Sequence, residues 1–143
     1  MVSGEDHDKI LADHARNIRR AILEMVTRAN TSHIGAAFSC VEILTFLYGE
    51  LLPACEMDTR KQARFILSKG HAASALYATL AEFGRIGRDE LLTYCTNGSL
   101  MGGHLLKNAL PGIEVATGSL GHGLGIGVGI DRKSTRLNSS HGI

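Results

Sequence analysis

The chain has 143 residues, 44% of them hydrophobic, with 15 basic and 14 acidic side chains and a formal net charge of +1. That is enough length for one domain with a core, and too apolar a composition for a disordered chain. The charge balance lacks the basic excess that nucleic acid or an anionic membrane selects, and no apolar run is long enough to span a bilayer.

The start, Met1-Val2-Ser3-Gly4-Glu5-Asp6-His7-Asp8, is polar and acidic, unlike a secretory signal or an Arg-rich transit peptide. Cys40, Cys55 and Cys95 are odd in number and widely spaced. They fit reduced thiols in a cytoplasmic protein better than a disulfide framework or a zinc knuckle.

From Asp8 to Ala29, apolar residues recur at Leu11, Ala15, Ile18, Ile22, Met25, Val26 and Ala29. This spacing predicts a helix, with Arg16, Arg19, Arg20 and Arg28 largely off the stripe and Asp13 and Glu24 nearby. Those arginines read as a solvated face rather than a nucleic-acid contact. Asn30 to Gly35 breaks the helix. Ser39 and Glu42 have the spacing of a capping box, so a second helix is expected to start there, with Val41, Leu44, Leu47, Tyr48 and Leu51 inward and Pro53 as its end. Glu56 to Arg64 reads as a polar connection.

Phe65-Ile66-Leu67 is a short continuous apolar run, and the Ser68-Lys69-Gly70-His71 turn after it favours a buried parallel strand. Ala72 to Phe83 predicts an amphipathic helix capped by Gly84. Strand, Gly turn and helix together present backbone N–H groups to an anion. Arg88 to Tyr94 reads as a short helix. Thr96 to Thr117 is a long polar, Gly-rich loop of the kind that carries function.

Thr117-Gly118-Ser119-Leu120-Gly121-His122-Gly123 repeats the Gly-turn design. From Leu120 to Ile130, glycines occupy 121, 123, 125, 127 and 129. Each opposes an isolated helix by roughly 1 kcal/mol relative to Ala, which makes sense where another backbone packs very close. The polar stretch 131–143 breaks abruptly from this run. It looks like the in-frame translation of a sequencing-library adapter, so 131–143 is expected to be a non-native tail.

Two Gly turns with isolated histidines point to a phosphate-bearing cofactor. N–H groups of a Gly turn, with a neutral or protonated His beside them, stabilise a diphosphate without a bulky side chain in the way. His33 and His104 have the chemistry to donate to developing oxyanions or to shuttle protons near neutral pH. His7, His14 and His141 read as ordinary hydrogen-bonding residues, and His122 is open between the two roles. No His pair has i, i+4 ligand spacing, so no metal ligand is assigned in this chain. Ser119 lacks the Gly-x-Ser-x-Gly frame of an activated nucleophile.

Several stretches, in order, are similar to one family. They are Ser32-His33-Ile34-Gly35-Ala36-Ala37 with Val41-Glu42-Ile43-Leu44, Phe65 to Ala72, Gly102-Gly103-His104, and Leu110-Pro111-Gly112-Ile113-Glu114-Val115-Ala116-Thr117-Gly118-Ser119-Leu120-Gly121. The chain resembles the N-terminal, thiamine-diphosphate-binding domain of transketolase, in the style of the N-terminal subunit of split transketolases. Residues 1–130 are then the N-terminal part of that domain. The implied fold is α/β, a parallel sheet flanked by helices, of which the first part is present. The implied activity is transfer of a two-carbon ketol unit between sugar phosphates.

The resemblance also implies roles. His71, Gly118 through its backbone, Ser119, Leu120 and His122 would lie at the cofactor, with Leu120 near the thiazolium ring. His33 and His104 would line the reaction centre. The family commonly has Gly and Pro around the first active-site histidine, where this chain has Ser32 and Ile34, and Pro after the third, where it has Leu105. The metal motif for Mg2+ or Ca2+ and the glutamate that activates the cofactor have no match here and are expected downstream. Implied partners are a pyrimidine-binding domain or second subunit, in a homodimer or a split-subunit heterotetramer. This chain is expected to be inactive alone. Alternatives are another thiamine-diphosphate enzyme, such as deoxyxylulose-5-phosphate synthase, or a noncatalytic dimerisation or binding module. The His71-Ala72 pair and Pro111-Gly112-Ile113-Glu114 favour transketolase over the former.

Overall fold

A computed structural model describes residues 4–53 and 63–139. The first helix, α1, runs Gly4–Ala29. Its stripe forms as the spacing predicts: Ala15, Ile18, Ile22, Met25 and Val26 are all buried. Asn30, in the left-handed region at φ 48°, ends it. Asp13 pairs with Arg16 on the solvent side.

The next helices differ from the expectation. A short α2 spans Ile34–Phe38 and α3 spans Val41–Phe46, continuing as a π-helical turn over Leu47–Leu51. The capping box is not made. Ser39 closes α2 instead, its hydroxyl donating to the Ala36 carbonyl at 2.9 Å and accepting from Lys69 Nζ at 2.7 Å. Glu42 is held by Arg19 of α1. Helical structure continues through Pro53, where the described residues break off, so most of the polar connection 56–64 lies outside them, as does Cys55.

The run 65–67 forms no strand. Among the described residues there is no strand at all, and no backbone hydrogen bond joins Phe65, Ile66 or Leu67 to another segment. A parallel strand needs a neighbour for its N–H and C=O groups, and the described residues supply none. The sheet expected from sequence is therefore not formed among the described residues, whose architecture is helical.

A 3-10 turn, Gly70–Ala72, leads into α4, Ala73–Glu82. Every residue from Ala72 to Ala81 is buried, so this helix is central rather than amphipathic. Its small side chains let α1, α3 and the 3-10 turn Arg88–Thr93 pack around it. The buried Thr79 hydroxyl donates to the Ala75 carbonyl at 2.7 Å, which satisfies it inside the helix. Gly84 adopts φ 68° after the helix end, as the C-cap expectation required.

The loop 96–117 is irregular but anchored. Met101, Leu105, Leu110 and Ile113 are buried, and the Cys95 amide donates to the Met101 carbonyl at 2.8 Å. The last helix, α5, spans His122–Ser139 and passes Ile130 without a break.

Candidate functional site

Three motifs far apart in sequence converge at one place. His33 is the residue before α2 and sits in the left-handed region at φ 77°. His71 lies in the 3-10 turn that opens α4. His104 lies on the anchored loop between buried Met101 and Leu105. The ring centroids of His33 and His71 are 4.8 Å apart, those of His71 and His104 4.8 Å, and those of His33 and His104 6.4 Å. All three pairs meet edge to face. His71 is half-buried between two exposed partners.

The two Gly turns also meet. A Cβ at Gly70 would lie 2.8 Å from the Thr117 carbonyl oxygen and 3.0 Å from Gly118 Cα, closer than real Cβ atoms come to backbone. Gly70 is thus required for the approach, not for a special φ. Gly118 in turn lies beside His104, its missing Cβ 3.6 Å from the ring Cδ2. At the start of α5 the Gly123 amide donates to the Ser68 hydroxyl at 3.0 Å, and a Cβ at Gly123 would stand 2.6 Å from Ser68 Cβ.

Ser119, Leu120 and His122 follow on the exposed turn into α5, with Leu120 66% exposed. Among the described residues no ring contact or hydrogen bond joins them to the three histidines. His7 and His14 instead lie beside carboxylates, Glu50 at 3.2 Å and Glu82 at 2.9 Å. His141 lies outside the described residues. Among the described residues no group of three or more His, Cys, Asp or Glu has the arrangement to hold a metal ion.

Three supporting residues carry no assigned role in the sequence reading. Tyr77, buried in α4, donates from its hydroxyl to the Gly102 carbonyl at 3.1 Å and so holds the base of the His104 loop. Burial pushes its phenol pKa up, so it stays a donor. Lys69 ties the 3-10 turn to α2 through Ser39. Thr117 keeps a buried hydroxyl with no partner among the described residues, directly at the Gly70 contact. Lys69 and Thr117 stand inside the two Gly-turn motifs, and the signal at Tyr77 is a polar aromatic in an Ala-rich helix.

The residues present fit a diphosphate. The missing Cβ of Gly70 lets the Thr117–Gly118 backbone pass against the turn that bears His71, which brings the two Gly turns together, and the buried Thr117 hydroxyl is a polar atom with no partner among the described residues.

Residues 10–142 match the family described as the transketolase, thiamine diphosphate binding domain, and the chain belongs to that family. It is 43% identical over 115 residues to an apulose-4-phosphate transketolase subunit of Phocaeicola vulgatus, covering 78% of this chain and 40% of that protein. The subunit of the same name from Actinobacillus succinogenes is 44% identical over 125 residues, covering 84% of this chain and 45% of its own length. Transketolase of Homo sapiens is 38% identical over 123 residues, covering 84% of this chain and 19% of its own. The chain thus spans less than half the length of these relatives.

No described helix is long and apolar enough to cross a membrane.

Proposed function

We propose that this chain is the diphosphate-binding portion of a transketolase-like transferase that moves a two-carbon ketol unit between sugar phosphates. The observation that carries the reading is the meeting of His33, His71 and His104, from three separate motifs, against the paired Gly turns. In this reading His71, the Gly118 amide and Ser119 hold the diphosphate, while Leu120 and His122 flank the cofactor. Thiamine diphosphate supplies the carbanion chemistry when bound. His33 and His104 then bind substrate oxygens and hold or move protons at them.

The rest of the site belongs to sequence outside this chain. A divalent cation, Mg2+ or Ca2+, would neutralise the diphosphate through downstream ligands. A pyrimidine-binding domain or second subunit would close the site in a dimer or heterotetramer. The two bacterial relatives, each named as one subunit of a transketolase, support the second-subunit form. The run 65–67 would enter a parallel sheet once neighbouring strands are supplied, giving the α/β fold. A cytoplasmic location suits phosphorylated substrates and free thiols.

Residues 131–143 are proposed to be foreign to the gene. Genomic sequence through the codon for Ile130 tests this: a frame continuing into Gly-Asp-Gly supports it, and the same tail in genomic DNA refutes it.

The functional test is ketol transfer between sugar phosphates by the complete subunit with its partner. Turnover that depends on thiamine diphosphate is expected, and none from the 143-residue chain alone. Ketol transfer by this chain alone would refute the division of the site.

A further inference from the structure

We infer that Asn97 is a site of spontaneous backbone-assisted deamidation, in the loop that carries His104. The chain has one Asn-Gly pair, Asn97-Gly98. Both residues are exposed, outside helix and strand, at the centre of a turn that the Ser99 amide closes by donating to the Thr96 carbonyl at 3.1 Å. Gly98 has φ 80°, and the space where its Cβ would stand is empty out to 4 Å. Among the described residues neither the Asn97 side chain nor the Gly98 amide has a hydrogen-bond partner.

The chemistry follows from these facts. Deamidation requires the Gly98 nitrogen to attack the Asn97 side-chain carbonyl carbon, and regular structure or a side chain at 98 hinders that approach. Attack forms the Gly98 N–Cγ bond of a cyclic imide and breaks the Cγ–Nδ2 bond. Ammonia leaves, carrying away the amide proton of Gly98. Water then opens the imide at either carbonyl, giving aspartate or isoaspartate. No oxidant, metal or enzyme is needed.

Asn17, Asn30 and Asn108 differ. Asn17 is held by a hydrogen bond from its Nδ2 to Glu82 at 2.9 Å inside α1. Asn30 and Asn108 are followed by Thr31 and Ala109, whose side chains crowd the attacking nitrogen.

The product has a local consequence. The new carboxylate would line the same cavity, of about 350 Å3, as Glu90. Isoaspartate also adds a backbone carbon between Cys95 and Met101, whose 2.8 Å hydrogen bond closes the loop base. The modification therefore acts on the segment that positions His104.

The test is peptide mapping of the purified 143-residue chain after incubation at neutral pH. The tryptic peptide Asp89–Lys107 is expected to gain the mass of an amide-to-acid conversion and to split into two products, one labelled by isoaspartate methyltransferase. Conversion is expected to run several-fold faster than at Asn17, Asn30 or Asn108 in the same digest. The Asn97→Gln variant should lose both products. A Gly98→Ala variant strains the loop, so incubation in urea replaces it as the second comparison. Conversion at Asn97 no faster than at the other asparagines, or conversion in urea alone, would overturn the proposal.

Discussion

Gly70 and Thr117 are in direct backbone contact: a Cβ at residue 70 would stand 2.8 Å from the Thr117 carbonyl oxygen. The contact joins the turn bearing His71 to the segment bearing Gly118, so the two halves of the proposed diphosphate cradle are fixed to each other. Gly70→Ala must push them apart, because the obstructing atoms are backbone. A destabilisation of about 1–3 kcal/mol is expected by the cost of overpacking, read as a lower denaturation midpoint. An unchanged midpoint would show that the cradle is looser than its geometry.

Glycines in α5 separate into two kinds. Gly123 is pressed against Ser68, whereas Gly125 and Gly129 have nothing within 4 Å of a built Cβ. Replacing Gly by Ala gains about 1 kcal/mol of helix propensity at an open position. Gly125→Ala and Gly129→Ala should therefore slow amide hydrogen exchange in α5 of this chain. Gly123→Ala should speed it near Ser68, since the clash with Ser68 Cβ and Cα outweighs that gain. Equal protection in all three variants would contradict the distinction.

Glu82 is nearly buried and is bonded by Asn17, His14 and Arg88, which staple α1 and the 88–93 turn to α4. Burial raises its pKa, but the three hydrogen bonds outweigh it and the net direction is down from 4.5. A carboxylate depressed in the folded state contributes stability that is complete above its unfolded pKa and lost as pH falls through the folded one. Stability measured by urea titration should therefore fall on acidification below the usual carboxylate range. Glu82→Gln should flatten that fall and cost about 1–3 kcal/mol at neutral pH through partners left unsatisfied. A variant with the wild-type acid profile would assign the dependence elsewhere.

Tyr77→Phe removes the hydroxyl that donates to the Gly102 carbonyl. The expected loss is about 1 kcal/mol of stability, with a shifted His104 imidazole signal in NMR. A shift at His14, remote from this loop, would indicate a global effect instead.

The legible parts were those set by local pattern. Ile18, Ile22 and Val26 announce the buried face of α1 because a helix repeats its own period. The ordered motifs around His33, His71 and His104 announced residues that the structure brings together, which spacing alone could not foretell. The illegible parts depend on competition or on partners. Ser39 and Glu42 have capping-box spacing, but Lys69 and Arg19 claim their side chains. Phe65 to Leu67 has strand chemistry with no neighbour to pair with among the described residues. α4 reads as amphipathic because alanine is silent about which face is inward. Ser119, Leu120 and His122 stand on an exposed turn, and no contact among the described residues joins them to the three histidines.

The most direct test of the central claim is a calorimetric titration of thiamine diphosphate, with the divalent cation, into the complete subunit with its partner. The wild-type assembly is expected to bind saturably. His71→Ala is expected to weaken binding about tenfold or more, the loss of one charge-assisted hydrogen bond, and inorganic diphosphate should compete. Undiminished affinity in a folded His71→Ala assembly would contradict the assignment of this turn to the diphosphate.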